Sequence, residues 1–329
     1  MKKFITLALT LVCANVLCAQ NTLVATLSHG DNITMYYGNN AFVNAHKAAV
    51  SGDIINLSGG TFTGTTITKA ITIRGTGIDA ANPTFIGNTT IDIAADDACR
   101  FMMEGIRCTG ELKFYDTNNY PTFQKCLFDK ILPQGDTSRG HVRNAMYIDC
   151  KIITEYKSTT QSKSHAAQFI NCYVSNVYHY NSTNDKYLNC IMNNHPANIR
   201  NSLLVNCIIF RASNTTNVLP ATSIATNCVA INVPNTFNNS QSNTDCTTST
   251  FEEMFKDFTG TYTDAQTFEL TEEAKAKFLG TDGTEVGMHG GVFPYTSTPS
   301  YPQITKMNVA NKTTADGKLS VDIEVSAAQ

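Results

Sequence analysis

A short phrase built around cysteine recurs along the middle of this chain and limits its fold more than any other feature. Each copy has an apolar residue, a spacer, usually Asn or Asp, then Cys, a spacer and another apolar residue, as in Phe-Ile-Asn-Cys-Tyr-Val at 169–174. Successive cysteines from Cys108, in a degenerate copy, to Cys246 lie 18, 24, 22, 18, 17, 21 and 18 residues apart. A repeat in this range of lengths is typical of a solenoid, in which short units stack into a coil.

The phrase also predicts how each unit packs. Side chains in a strand share a face at every second residue, so each Cys lies on the same face as the apolar residue two positions later. The residue before Cys is Asn or Asp in most copies, and stacked amides can form a hydrogen-bonded ladder between turns. We therefore predict a structural ladder formed by Asn171, Asn189, Asn206, Asn227, Cys126, Cys150, Cys172, Cys190, Cys207 and Cys228.

The flanking segments predict two ends for the coil. Residues 40–50 have apolar residues at helical spacing and are followed by Gly52, which indicates a short N-terminal capping helix. After Cys246, one helix start is expected at Ser249 or Thr250 and a second at Thr271, and residues 303–325 form a hairpin pattern around Asp316-Gly317. We predict an all-β parallel β-helix over 20–246 and a cap of two short helices and a β-hairpin over 247–329.

The first residues have the pattern of an export signal. Lys2 and Lys3 precede an apolar run, and cleavage is expected after Ala19, so residues 1–19 are interpreted as a signal peptide. Without these two lysines the chain has 22 basic and 27 acidic residues, so nothing indicates a nucleic-acid partner. We expect an exported monomer without a membrane span, either secreted, periplasmic or at the cell surface.

The cysteine count bears on covalent chemistry. Nine cysteines remain outside the signal, and an odd number leaves at least one thiol without an intramolecular disulfide partner. Stacked side chains that point the same way give poor disulfide torsions, so we expect reduced, buried thiols that pack as small apolar groups. Metal binding is the alternative, but the chain has no C-x-x-C pair.

The opening of the coil resembles a known group of proteins. Residues 48–62, Ala-Ala-Val-Ser-Gly-Asp-Ile-Ile-Asn-Leu-Ser-Gly-Gly-Thr-Phe, and 71–75, Ile-Thr-Ile-Arg-Gly, are similar to the first turns of secreted bacterial right-handed parallel β-helices of the pectin-lyase-like superfamily. The resemblance covers roughly 40–250 and implies a right-handed coil. It implies no single activity, because this superfamily contains lyases, hydrolases, esterases and proteins without a known reaction.

The residues give little support for catalysis. The hydrolases of this fold carry an Asn-Thr-Asp, an Asp-Asp, a Gly-His-Gly and an Arg-Ile-Lys, of which only Asp96-Asp97 and the stretch around His141 have partial counterparts. The calcium-dependent lyases need clustered acids for the ion and an Arg or Lys as base. Asp92, Asp96 and Asp97 are a weak candidate calcium site, and no other cofactor is expected.

Two long steps in the repeat indicate loops inserted in successive turns. They lie between Cys126, Cys150 and Cys172, and insertions in solenoids gather on one face, often the binding face. From Lys125 to His165 there are seven basic and four acidic residues, a local excess suited to an acidic polymer. The candidate binding residues in these loops and on the next turn are Arg139, His141, Arg143, Lys151, Lys163, His165, Tyr173 and His179.

Three functions remain open at this point. We expect a non-catalytic β-helix scaffold that binds an acidic polysaccharide or a cell-surface glycan, or acts as an adhesin. The first alternative is a polysaccharide lyase acting on a uronate polymer, with a Lys or Arg of 139–163 as base and calcium as the charge neutraliser. The second is a purely structural surface protein.

Overall fold

The computed structural model is an all-β parallel β-solenoid of about seven turns. It describes residues 23–94, 99–115, 120–133, 141–157, 163–178, 184–194, 196–211, 218–233, 235–238, 240–309, 312–314 and 316–326. Two long sheets form the walls of the coil. Each turn contributes a strand to the first sheet, turns a corner and contributes a strand to the second sheet.

Sheet A has 12 strands and is parallel from its third strand onward. In their order across the sheet, its strands are β2 (Asn32–Tyr37), β1 (Val24–His29), β3 (Ile54–Leu57), β6 (Thr72–Arg74), β9 (Met102–Glu104), β11 (Thr122–Gln124), β14 (Met146–Ile148), β17 (Gln168–Ile170), β20 (Asp185–Leu188), β22 (Ser202–Val205), β24 (Ile224–Thr226) and β26 (Ser242–Thr244).

Sheet B has 13 strands, all in parallel pairs. They are β4 (Gly60–Phe62), β5 (Thr66–Ile67), β7 (Thr84–Ile86), β8 (Thr89–Ile91), β10 (Ile106–Phe114), β12 (Leu127–Pro133), β15 (Lys151–Lys157), β18 (Tyr173–Ser175), β19 (Val177–Tyr178), β21 (Ile191–Asn193), β23 (Ile208–Phe210), β25 (Val229–Ile231) and β27 (Thr247–Ser249).

The remaining elements lie outside these two walls. A two-stranded sheet pairs β13 (His141–Arg143) with β16 (Lys163–His165), and a terminal hairpin pairs β28 (Gln303–Val309) with β29 (Val321–Ser326). The helices are α1 (Ala41–Ala48), α2 (Phe251–Met254) and α3 (Glu272–Lys277), together with a 3-10 turn at Pro196–Asn198.

The corner between sheet A and sheet B repeats one backbone conformation. The residue before each repeat cysteine has a positive φ, between 49° and 56°. Asn and Asp adopt this left-handed region more readily than most residues, because their short polar side chains bond locally. The residue before the cysteine is therefore the one that turns the chain in every copy. These positions are Lys125, Asp149, Asn171, Asn189, Asn206, Asn227 and Asp245.

The repeat cysteines pack inside the coil as predicted. Cys126 and the next five are fully buried, and the cysteines of the described residues are all free. Each thiol from Cys126 to Cys207 donates to a carbonyl of the preceding turn, for example from Cys172 to Tyr147 at 3.3 Å. Burial raises the pKa of the Cys150 and Cys190 thiols well above the ordinary value. All six repeat cysteines are closed off from solvent, so they pack as core residues.

A stack of aromatic rings fills the centre of the coil. Phe123, Tyr147, Phe169 and Tyr187 occupy equivalent positions in four successive turns, with ring centroids 5.1, 4.8 and 4.7 Å apart and planes within 9° of parallel. Each ring is fully buried. Complete burial of an apolar aromatic side chain stabilises a fold by roughly 1.5–3 kcal/mol, so each phenylalanine of the stack contributes on this scale. The buried Tyr147 hydroxyl has no hydrogen-bond partner, which offsets part of the gain from its ring.

The degenerate repeat at Cys108 has a different register from the other repeats. Cys108 pairs with Phe128, two residues beyond Cys126, and Gly105 has the positive φ of the corner. Ile106 therefore takes the place that cysteine has in later turns. The spacing from Cys108 to Cys126 is not a turn of the coil, which corrects the first of the predicted steps.

The coil begins with an antiparallel hairpin. Strands β1 and β2 pair antiparallel, and β1 pairs antiparallel with β3. The predicted N-terminal helix is α1, with Asn40 at its N-cap, and it buries Phe42 and Ala45 in the core beside these strands. On β2 only Tyr36 is partly covered, so this edge of sheet A faces solvent.

The segment that follows the coil lies along its side. The two predicted helices are present, each capped by a threonine, Thr250 and Thr271, and the predicted hairpin is present as β28 and β29. Residues 251–288 bury an aromatic cluster against the outer face of sheet B, on Tyr173, Ile191, Ile208, Phe210, Val229 and Ile231. The sequence predicted a cap over the end of the coil, whereas these contacts are lateral.

Residues 279–301, here called the C-terminal strap, follow the corner column from turn to turn. The Asn227 amide donates to the Leu279 carbonyl at 3.1 Å, and the Asn206 side chain accepts from the Thr281 N–H at 2.9 Å. Farther along, the Lys125 ammonium donates to the Thr298 carbonyl at 2.6 Å. The strap therefore crosses the turns in reverse order, from the last turns of the coil towards the first.

Candidate functional site

The two predicted loops lie side by side. Strands β13 and β16 pair in parallel, which places His141 opposite Lys163 and Arg143 opposite His165 in the backbone register. Four of the eight predicted binding residues therefore lie together on neighbouring turns. Arg143 is exposed.

A groove continues from this pair along the side of sheet A where the strands begin. Its volume is about 730 Å³, and it begins at Ala166, the residue after His165. Its floor is partly apolar, with Leu203 and Ile224, and its sides carry amides, hydroxyls and one cation. These polar residues are Asn184, Lys186, Asn201, Ser202, Thr222 and Gln241.

The groove results from a second corner column, where the chain enters sheet A. Ala166, Asn184 and Asn201 have positive φ values of 56°, 62° and 50°. The Asn184 N–H donates to the Asn201 carbonyl at 2.9 Å, and the Asn201 N–H donates to the Thr222 hydroxyl at 3.2 Å. These bonds hold one polar residue per turn at the surface, with a spacing of about 4.8 Å.

The described lining of the groove carries positive charge and no negative charge. Lys186 is exposed on one side of the groove, and Arg200, the residue before Asn201, is exposed beside it. No carboxylate lies among its described lining residues. Asp185 points inward, is fully buried and accepts from the Ala167 N–H at 2.8 Å. The described groove therefore offers donors and positive charge, and no pair of carboxylates for acid and base work on a glycosidic bond.

Two predicted binding residues lie elsewhere. Tyr173 is fully buried under residues 251–288, with its ring 4.9 Å from Phe268 and 5.2 Å from Tyr262. It stacks on protein rings and is not presented to a sugar, which corrects the expectation for this residue. Lys151 is 3% exposed on the same face of sheet B, away from β13 and β16.

The remaining predictions fall on residues that the structure does not describe, or stay open. Arg139, His179, Asp96 and Asp97 lie outside the described residues. Asp92 follows β8, and its N–H donates to the Ile67 carbonyl at 2.8 Å. No group of three or more His, Cys, Asp or Glu side chains suited to a metal ion occurs in the described part of the chain.

The sequence contained a signal for the groove that the cysteine repeat obscured. A polar pair lies at the start of three successive strands of sheet A, as Asn184-Asp185, Asn201-Ser202 and Thr222-Ser223. In each pair the first residue is exposed and the second is buried. A polar residue at the same place in every turn predicts a continuous polar line on the surface of a solenoid.

Comparisons with protein families, with curated proteins and with solved structures found no match for this chain. Among the described residues, no helix has the length and apolar character needed to cross a membrane.

Proposed function

We propose that this protein is an exported, non-catalytic β-helix scaffold of the pectin-lyase-like kind that binds an acidic polysaccharide along the groove. The observation that carries the proposal is the groove itself, which offers a line of amides and hydroxyls with exposed cations and no carboxylate in its described lining. Such a surface suits a polymer that has both hydroxyl and carboxylate or sulfate groups.

The dimensions fit a polymer and not a single small molecule. The lining runs over five successive turns, from Ala166 beside β17 to Gln241 before β26. Four steps of about 4.8 Å give a length of roughly 19 Å, enough for a short oligosaccharide laid along the coil. The paired strands β13 and β16 extend the basic character beyond the first turn of the groove.

The expected affinity is modest for one site and depends on salt. Exposed charges contribute little individually and are screened by ions, so much of the binding comes from several weak contacts made at once. A polymer that repeats the same acidic unit compensates for this weakness by presenting many equivalent segments.

Native electrophoresis through gels cast with pectin, alginate or chondroitin sulfate tests the proposal. The protein is compared with a variant that carries Arg143→Gln, Lys186→Gln and Arg200→Gln. A matched control, Lys47→Gln, removes an exposed charge on α1, away from the groove. Dextran gels report any retardation by a neutral polymer.

Retardation in at least one acidic gel is expected. It should decrease with added salt and in the triple variant but not in the control. Unchanged mobility in every gel overturns the proposal and favours a structural surface protein. A cleared track on staining for the polymer, particularly with calcium, shows a lyase instead.

A further inference from the structure

The second corner column continues beyond the groove, towards the start of the coil. The register of sheet A places Arg100 and Tyr120 in the same column as Asn144 and Ala166, because each lies two residues before strand residues that pair across the sheet. The groove begins at Ala166. Arg100 therefore lies three turns before the groove, or roughly 14 Å along the coil at about 4.8 Å a turn.

Tyr120 has a backbone conformation that its side chain does not favour. Its φ is 64°, whereas asparagine holds the same column, also with positive φ, at Asn144, Asn184 and Asn201. A bulky residue in the left-handed region is uncommon, since its Cβ crowds the following carbonyl oxygen. Strain of this kind gathers at places where a protein uses the side chain to hold a ligand.

Packing in the core does not account for this cost. Phe268, the other aromatic residue with a positive φ in the described part of the chain, is 1% exposed and stacks on Tyr173. Tyr120 is instead 49% exposed, and its ring contacts the Arg100 guanidinium, which lies 5.4 Å from the ring centre. The strained backbone thus holds an aromatic ring at the surface, beside a cation.

Two exposed cations lie next to Tyr120. Arg100 is one, and Arg143 is the other, since the Tyr120 N–H donates to the Arg143 carbonyl at 3.3 Å. Neither guanidinium takes part in an ion pair between described residues. A guanidinium stacked on a ring keeps the N–H groups in its plane free, so it can hold a carboxylate or sulfate group in two parallel hydrogen bonds.

An aromatic ring beside guanidinium groups suits an acidic sugar. The C–H groups on one face of a sugar ring pack on the aromatic ring, and the carboxylate or sulfate group accepts from the guanidinium. Tyr173 cannot provide such a platform because it is fully buried. Tyr120 presents its ring to solvent in the same column that lines the groove.

We propose that Tyr120, with Arg100 and Arg143, forms a further subsite of the groove, where one acidic sugar residue of the bound polymer stacks on the tyrosine ring. The inference rests on the proposed function, because it extends the same binding surface. The line from Arg100 to Gln241 then covers seven steps between turns, or roughly 34 Å. A chain longer than the groove alone is therefore needed to occupy the whole surface.

Isothermal titration calorimetry with oligosaccharides of two lengths tests this inference. Fragments of four and of ten sugar residues are prepared from the acidic polymer that retards the protein in the gels. The first variant is Tyr120→Asn, because asparagine holds this backbone position in other turns. Its matched control is Tyr37→Asn, which removes an exposed tyrosine from the edge strand β2. Arg100→Gln tests the cation, with Lys47→Gln on α1 as its control.

The ten-residue fragment is expected to bind about fivefold more weakly to Tyr120→Asn than to the wild type, from the lost stacking contact. The four-residue fragment fills the groove without the subsite, so it should bind equally to both. Arg100→Gln should show the same dependence on length, and both controls should bind like the wild type. Since asparagine removes the backbone strain, the melting temperature of Tyr120→Asn should be at least that of the wild type.

Equal binding of the ten-residue fragment to Tyr120→Asn and to the wild type overturns the inference and leaves the groove in place. Equal weakening for both fragments also overturns it, as does a lower melting temperature of Tyr120→Asn, because either result shows that the ring supports the fold. If no acidic polymer retards the wild-type protein, the proposed function fails and the subsite fails with it.

Discussion

At the scale of single residues, the corner asparagines have two structural roles in this molecule. The corner asparagines adopt a positive φ that turns the chain from sheet A into sheet B, and the same amides bond the C-terminal strap. If a corner position required only a positive φ, glycine would be enough, as at Gly105 in an early repeat of the coil. The amide adds an acceptor and a donor that point out of the coil, so the turn and the docking of the strap depend on the same residue.

Asn206 allows these two roles to be separated. Its φ is 56°, and its amide oxygen accepts from the Thr281 N–H at 2.9 Å. Asn206→Gly keeps the backbone conformation and loses the hydrogen bond, which should cost about 1 kcal/mol. Asn206→Ala loses both and should cost roughly 2–3 kcal/mol in the free energy of unfolding. Urea denaturation measures both, and equal costs would show that the positive φ is not a constraint.

Asp149 occupies the same corner position with a carboxyl group, and its surroundings make it sensitive to pH. It is 6% exposed, and burial raises its pKa to about 7, although the Lys125 ammonium and a hydrogen bond from the Thr296 backbone oppose this shift. The unfolded carboxyl ionises near pH 4. Since the folded chain binds more protons between these two values, the stability that Asp149 contributes falls as the pH rises from about 4 to about 7.

Asp149→Asn should therefore stabilise the protein at neutral and alkaline pH. Asparagine holds this position in four later turns, so it fits the corner. At pH 8 the variant should gain at least about 1 kcal/mol, or roughly 2 °C in melting temperature. At pH 4 the gain should disappear, because the wild-type carboxyl is then protonated in the folded state. Thermal scans at both pH values decide the matter, and an equal gain at both would rule out ionisation as the cause.

At the scale of elements, the repeat alone was enough to predict the coil. The cysteine column, the inward apolar residues, the corner asparagines, the first helix and the terminal hairpin all follow from period and local propensity. The position of the strap does not follow from these, because periodicity within a turn says nothing about what covers its outer face. The groove was also not predicted, because its signal, a polar pair at the start of three successive strands, has no fixed spacing from the cysteine of each repeat.

A signal for the covered face was nevertheless present. The strands Ile208–Phe210 and Val229–Ile231 are apolar at every position, so both faces of sheet B are apolar there. A strand buried on both faces reads as a continuous apolar run. This pattern predicts a covering layer over that part of the coil, and residues 251–288 provide it.

The terminal hairpin should be dispensable for the stability of the coil. Every described residue of β29 is exposed, whereas the strap contacts the corner column in several turns. Truncation after Pro302 should therefore leave the urea midpoint of the rest of the chain unchanged within error. A large decrease would show that the hairpin packs on the coil. Retained retardation of the truncated protein in the polysaccharide gels would further separate the hairpin from the groove.

At the scale of the whole molecule, the strap changes how the turns depend on one another. A solenoid is held by contacts between neighbouring turns, and its stability is approximately a sum of local terms. Here a single segment bonds Asn227 near one end and reaches Glu104, whose carboxylate accepts from the Ser300 N–H at 2.6 Å. Opening any turn between these two also releases the strap there, so distant turns are coupled and the coil should unfold as one unit.

Two glycines of the strap test this coupling with a matched pair of variants. Gly287 and Gly283 have φ values of 86° and 79°, so alanine carries a similar backbone cost at both. Only at Gly287 would the new Cβ meet the coil, 2.8 Å from the Ile208 side chain, and there it also disturbs the bond to the Asn206 carbonyl. Gly287→Ala should cost about 1–3 kcal/mol more than Gly283→Ala, from overpacking.

Because a displaced strap no longer links the turns, Gly287→Ala should also broaden the urea transition and lower its slope, whereas Gly283→Ala should only shift the midpoint. Equal slopes in both variants would mean that the turns are coupled through their own neighbours and that the strap only covers them.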